Sequence, residues 1–154
     1  MSSISINTDL GTIRLSLRPD AAPTTASHIS DLVKTGIFSD VVFYRSDFVI
    51  QTGLYSTGKS SSLPNLPMNE TATGVRISNT RGTVAVAHHD VPDNGNSEFF
   101  INLGANTHLD TAYGGYCVFA QVEEDDAASF KVVDDIAAAV KSGTNVKVSS
   151  MTVA

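Results

Sequence analysis

Arg45 and Gln51 stand inside the run Phe43-Tyr44-Arg45-Ser46-Asp47-Phe48-Val49-Ile50-Gln51-Thr52-Gly53, which is otherwise rich in aromatic and β-branched residues. A long cationic donor and a neutral amide are thereby set beside an apolar surface. Where such a surface excludes water, a hydrogen bond from the Arg is strengthened. Three further segments combine polar and apolar residues in the same way: Arg81-Gly82-Thr83-Val84-Ala85-Val86-Ala87, Ser97-Glu98-Phe99-Phe100-Ile101-Asn102 and Thr107-His108-Leu109-Asp110.

Other chemistry has a weaker footing. Gly53-Leu54-Tyr55-Ser56-Thr57-Gly58-Lys59-Ser60 fits the G-x-x-x-x-G-K-[ST] phosphate-loop pattern after an apolar strand. That chemistry needs a helix starting at the Lys, so that backbone N–H groups face the phosphates. Pro64 and Pro67 follow too soon for a helix of useful length, so the segment reads as a Gly/Ser loop. His88, His89, Asp90 and His108 supply metal-ligand types, but neighbours on a strand point to opposite faces and do not share one ion. No metal is expected. No G-x-S-x-G context accompanies the scattered Ser, His and Asp residues. Cys117 is the sole cysteine, which excludes an internal disulfide, and its apolar setting suggests a buried strand residue.

The elements that must position these residues are mostly short strands. Ile4 and Ile6, then Ile13, Leu15 and Leu17, alternate about Thr8-Asp9-Leu10-Gly11 as a hairpin does. A helix over Pro23–Lys34 follows from Ala26, Ile29 and Val33, with Pro23 in its first turn and Gly36 after it. A second helix carries Phe130, Val133, Ala137 and Val140, with Asp125 and Asp126 near its start and Gly143 beyond its end. Strand-like runs are Val41–Tyr44, Phe48–Thr52, Thr83–Ala87, Phe99–Leu103, Tyr116–Val122 and Val146–Val153. Many short strands and two helices favour a mostly antiparallel barrel or sandwich with helices packed outside.

At 154 residues the chain fits one domain, 1–154. Hydrophobic residues make up 42% and charged residues 17%, enough apolar material for a core and too little charge for a disordered chain. A formal charge of −6 has the wrong sign for a phosphate-backbone binder, so neither nucleic acid nor an anionic membrane is an expected partner. The apolar runs are far below the roughly 20 residues of a membrane-spanning helix. The first residues lack the pattern of a secretory leader, which makes the cytoplasm the expected compartment.

Taken together, the segments quoted above, Asn79-Thr80-Arg81-Gly82-Thr83 and Gly115-Tyr116-Cys117-Val118-Phe119 resemble the cyclophilin family of peptidyl-prolyl isomerases, most closely its bacterial-type branch. The resemblance spans nearly the whole chain and implies a closed antiparallel β-barrel with two α-helices packed outside it. It also implies acceleration of rotation about X-Pro peptide bonds. Arg45 falls at the catalytic Arg of the family's F-H-R motif; Gln51, the second catalytic residue the resemblance implies and one that holds the peptide, and Val49, an apolar wall, fall at the Gln and Met of M-x-Q. Phe48 matches the aromatic before them; Phe100, the second Phe of Q-F-F, matches the floor of the proline pocket, with Asn102 as a backbone contact. Leu109 is a wall, Tyr116 stands where many members carry His, and Ala87, His88 and His89 occupy the stretch lining the groove.

Departures from the family pattern accompany these matches. Only Ser46 and Asp47 separate Arg45 from Phe48, a shorter link than is usual. Glu98 replaces Gln, and His108 replaces the Trp associated with strong cyclosporin binding, so weak cyclosporin affinity is expected. Ala112 to Gly115 lengthen the loop after Asp110. The expected partners are proline-containing peptides and unfolded client proteins, bound by a monomer without cofactor. The alternative is a proline-peptide binding module with little catalysis, and for Arg45 the plainer role is a surface ion pair with Asp47.

Overall fold

The alternating apolar residues of the first segment do form a hairpin. The computed structural model, which describes residues 3–58, 76–88, 96–112 and 115–154, pairs β1 (Ser3–Thr8) with β2 (Gly11–Leu17) across Asp9-Leu10. The remaining strands are β3 (Val42–Ser46), β4 (Val49–Thr52), β5 (Thr83–Val86), β6 (Phe99–Asn102), β7 (Val118–Val122) and β8 (Val146–Val153). Every pairing is antiparallel, and the order β1-β2-β7-β5-β6-β4-β3-β8 closes on itself. Closure leaves no sheet edge to protect.

One side of each strand fills the barrel. Ile4, Ile6, Ile13, Leu15, Phe43, Ile50, Val84, Phe99, Ile101, Phe119 and Val148 are all buried in one cluster. Phe99 meets Phe38 and Phe119 edge-on, with ring centroids 5.9 and 6.4 Å apart, the geometry that ring quadrupoles favour.

Helix α1 (Pro23–Lys34) opens on Pro23 and buries Ala26, Ile29 and Val33 together with Leu32. Helix α2 (Ala127–Lys141) is capped by Asp126, whose carboxylate accepts the Ser129 N–H at 3.0 Å and the Ser129 hydroxyl at 2.7 Å. Those two bonds hold the Asp126 carboxyl below its ordinary range. Its packed face centres on Val133 and Ile136, with Phe130, Ala137 and Val140 partly buried beside them. Gly82, at φ +87°, lies under this helix: a Cβ there would sit 2.8 Å from the Phe130 ring. Among the described residues no helix is long and apolar enough to cross a membrane.

Candidate active site

A bulge decides where Arg45 points. Phe43 pairs with Thr52 and Arg45 with Gln51, so two steps along β3 match one step along β4, with Tyr44 the extra residue. Simple alternation would send Arg45 to the same side as Phe43, into the barrel. The bulge turns it outward, to the face carrying Gln51.

That outer face of β4, β6 and β5 is the floor of a cleft of about 790 Å³. Val49, Ala85, Phe100 and Leu109 form a second apolar cluster, separate from the barrel core, against which Ala87 and Tyr116 pack. Of the residues singled out in the sequence, Arg45, Phe48, Val49, Gln51, Ala87, His88, Glu98, Phe100, His108, Leu109 and Tyr116 line this one cleft. His89 lies outside the described residues, as do Lys59 and the prolines after it. Among the described residues no group of His, Cys, Asp or Glu is arranged to hold a metal ion.

Three aromatic contacts surround the floor. Tyr116 meets Phe100 edge-on at 5.6 Å and stacks on His88 at 4.1 Å. On the other side Phe48 meets His108 at 5.2 Å, and the Arg45 guanidinium lies 5.3 Å from the Phe48 ring centre. The short link from Arg45 leaves Phe48 at the rim, 39% exposed, whereas Phe100 is 3% exposed.

A line of hydrogen bonds joins Asp47 to Glu98. Asp47 Oδ2 accepts from Arg45 Nε at 2.9 Å, while Asp47 Oδ1 accepts from the Val49 N–H at 3.2 Å and pins the turn. Arg45 Nη1 donates to Gln51 Oε1 at 3.0 Å, Gln51 Nε2 donates to the Tyr44 hydroxyl at 2.9 Å, and that hydroxyl donates to Glu98 Oε1 at 2.8 Å. Burial first, and then the Glu98 carboxylate, push the Tyr44 phenol far above its ordinary range, so it stays a donor. Arg45 therefore keeps the Asp47 ion pair and also reaches into the cleft, and its Nη2 edge makes no hydrogen bond among the described residues.

Asn102 is not in the cleft, contrary to the sequence reading. It shares the outer face with Phe100, but the segment from Asn79 to Thr83 and the Asn106 side chain cover it completely. Its carbonyl accepts the Gly82 N–H at 2.9 Å. Its Nδ2 donates to Asn79 Oδ1 and Thr83 Oγ1, and Asn106 Nδ2 donates both to Asn102 Oδ1 and to the Phe48 carbonyl. Asn79 in turn donates to Asp110 Oδ1, where Ser78 also binds the carboxylate. Burial opposes ionisation of Asp110, but the bonds from Ser78 and Asn79 outweigh it and hold the carboxyl below its usual range. These amides brace the wall that carries Phe48, His108 and Leu109.

Tyr44, Asn79 and Asn106 were absent from the sequence-based site. Tyr44 had one local signal, its place beside Arg45; the two asparagines had none, because Asn79 meets Asp110 and Asn106 meets Phe48 from far along the chain.

Known proteins share this architecture. Two solved cyclophilins superpose on the chain: one from Hirschia baltica with TM-score 0.79 and 17% identity, covering 97% of this chain and 73% of that one. The other is a Cryptosporidium parvum cyclophilin type peptidyl-prolyl cis-trans isomerase solved in the presence of the dipeptide Ala-Pro, with TM-score 0.80 and 19% identity over 99% of this chain and 98% of that one. In sequence the chain is 34% identical to a peptidyl-prolyl cis-trans isomerase of Acinetobacter baylyi over 87% of its own length and 71% of that protein's. It is 33% identical to peptidyl-prolyl cis-trans isomerase B of Escherichia coli (86% and 82% covered). With a Streptomyces antibioticus isomerase it shares 35% (94% and 88% covered). Residues 3–154 match the family described as cyclophilin type peptidyl-prolyl cis-trans isomerase/CLD, and the chain belongs to that family.

Proposed function

We propose that the chain performs its family's reaction, cis-trans isomerisation of X-Pro bonds in peptides and unfolded client chains. The proline ring lies against Phe100, Val49 and Leu109, and Arg45 donates to the imide nitrogen as the bond turns. Rotation meets a barrier of roughly 18–20 kcal/mol because amide resonance must be broken. No covalent bond changes. In the twisted state the nitrogen lone pair is localised and accepts a hydrogen bond that the planar imide does not, so a donor placed there lowers the barrier without tightening ground-state binding. Lowering it by about 6 kcal/mol corresponds to roughly 10⁴-fold.

The observation that carries this reading is the spare Nη2 edge of Arg45 beside the apolar Phe100 floor. The Asp47 pair is 41% and 45% exposed, so its worth is orientation more than stability. Gln51 spends its carbonyl on Arg45 and an N–H on Tyr44, which makes it a positioning residue that acts through the guanidinium. His108 edge-on to Phe48 presents a smaller surface than the family's Trp, in keeping with weak cyclosporin affinity.

The test is the isomerisation rate of a short X-Pro peptide. Wild type accelerates it, and Arg45→Ala, folded by circular dichroism, loses about 10²–10³-fold of that acceleration. Full activity in Arg45→Ala contradicts the proposal. Peptide binding by wild type without acceleration identifies a binding module instead.

A further inference from the structure

The charges at the two ends of the cleft are not treated alike. Arg45 is answered by Asp47 at 2.9 Å. Among the described residues Glu98 is answered by neutral donors alone: the Tyr44 hydroxyl at 2.8 Å and the Tyr55 N–H at 3.3 Å on Oε1, and the Ser97 hydroxyl at 2.8 Å on Oε2. Among the described residues it makes no ion pair. These donors fix the carboxylate in place and leave acceptor capacity on Oε2. Gly53 makes the position accessible, since a Cβ there would lie 2.3 Å from the Glu98 carboxyl carbon. Beside it the Tyr55 ring, 71% exposed, lines the same cleft.

We infer that this end of the cleft selects peptides with a Lys or Arg side chain flanking the proline, and that Glu98 is the residue that sets the preference. A long basic side chain fits both features at once. Its alkyl stem and cationic head suit the exposed aromatic face, and its N–H groups complete a carboxylate that has already lost its rotational freedom. A neutral side chain gains only the aromatic contact. An acidic one meets like charge in a partly desolvated site, and the chain's net charge of −6 adds attraction for basic peptides and repulsion for acidic ones. The inference rests on the proline-site reading above and names the substrate class of that same cleft.

The experiment uses short peptides with one X-Pro bond in which each flanking position, before and after the bond, is in turn Ala, Lys or Glu. Both kcat/KM and Kd are measured for wild type and Glu98→Gln. Wild type is expected to favour Lys over Ala at one flanking position by about tenfold, the scale of one charge-assisted hydrogen bond, and to disfavour Glu there. In Glu98→Gln the Lys-to-Glu ratio falls toward unity. In wild type the same ratio shrinks as ionic strength rises to about 1 M, where the screening length is roughly 3 Å. This salt readout stands even if the variant fails to fold. No charge preference at any position, a preference undiminished in Glu98→Gln, or one indifferent to salt overturns the inference. Because Kd reads the preference whether or not the bond is turned over, absence of turnover contradicts the proposed function alone.

Discussion

The two faces of β4, β6 and β5 hold alternate residues of the same short segments and do different work. Inward lie Ile50, Phe99, Ile101, Val84 and Val86, a dry hydrocarbon layer packed among residues from every side of the barrel. Outward lie Val49, Gln51, Phe100, Asn102, Thr83 and Ala85, where apolar side chains sit next to amides and hydroxyls. The inner face needs only to exclude water, and any well-packed hydrophobic set would serve. The outer face must keep a hollow open beside a cation. It does so by tying polar groups to one another, so that no buried side-chain nitrogen or oxygen among the described residues lacks a partner.

Consecutive phenylalanines give the sharpest contrast. Phe99→Ala is expected to cost about 3–5 kcal/mol, since it opens a cavity in the barrel. Phe100→Ala, whose ring borders the open cleft, should cost roughly half as much while lowering kcat/KM more than Phe99→Leu does. Denaturant unfolding and peptide turnover on the same proteins read both quantities. Equal destabilisation by the two alanine substitutions would mean that the faces are energetically one core.

Asn102→Ala comes next. It strips partners from Asn79 Oδ1, the Thr83 hydroxyl and one hydrogen of Asn106, at an expected cost of about 1–3 kcal/mol for buried groups left unpaired. Because Asn106 also holds the Phe48 carbonyl, KM should rise. A stability loss with unchanged KM would separate the amide network from the cleft wall.

The smallest effect lies away from both faces, at the α2 cap. Asp126→Ala should cost about 1 kcal/mol and leave peptide turnover intact. Asp126 and Asp110 both have folded carboxyls held below their ordinary range. Their stabilisation is present above the unfolded carboxylate range and is lost as pH falls through the lower folded values. Unfolding free energy measured from neutral pH downward should fall in that acid window, and less steeply in Asp126→Asn.

Periodicity made the inner face legible. Alternation in Ile13-Arg14-Leu15 and the three-and-four spacing of Ala26, Ile29 and Val33 are local signals, and local sterics set both repeats. The cleft was legible only where the family resemblance named its residues. Alternation alone would have sent Arg45 inward, because a bulge leaves no mark on composition. Asn102 shares the outer face with Phe100, but the segment that covers it begins 23 residues earlier at Asn79. Tyr44 meets Glu98 across 54 residues, and Asn106 reaches Phe48 across 58, so no short window contains either pair. The strands also begin and end differently from the apolar runs: Phe48 and Tyr116 fall outside β4 and β7, at the rim where the chain leaves the sheet.

The central claim is that the Arg45 guanidinium acts on the twisted imide and hardly on the resting peptide. Isomer exchange of a saturating X-Pro peptide, followed by NMR together with its Kd, separates these for wild type and Arg45→Ala. The account predicts an exchange rate on the enzyme lower by at least about 100-fold with Kd changed by less than about threefold. Equal losses in both quantities, or an exchange rate that Arg45→Ala leaves untouched, would contradict it.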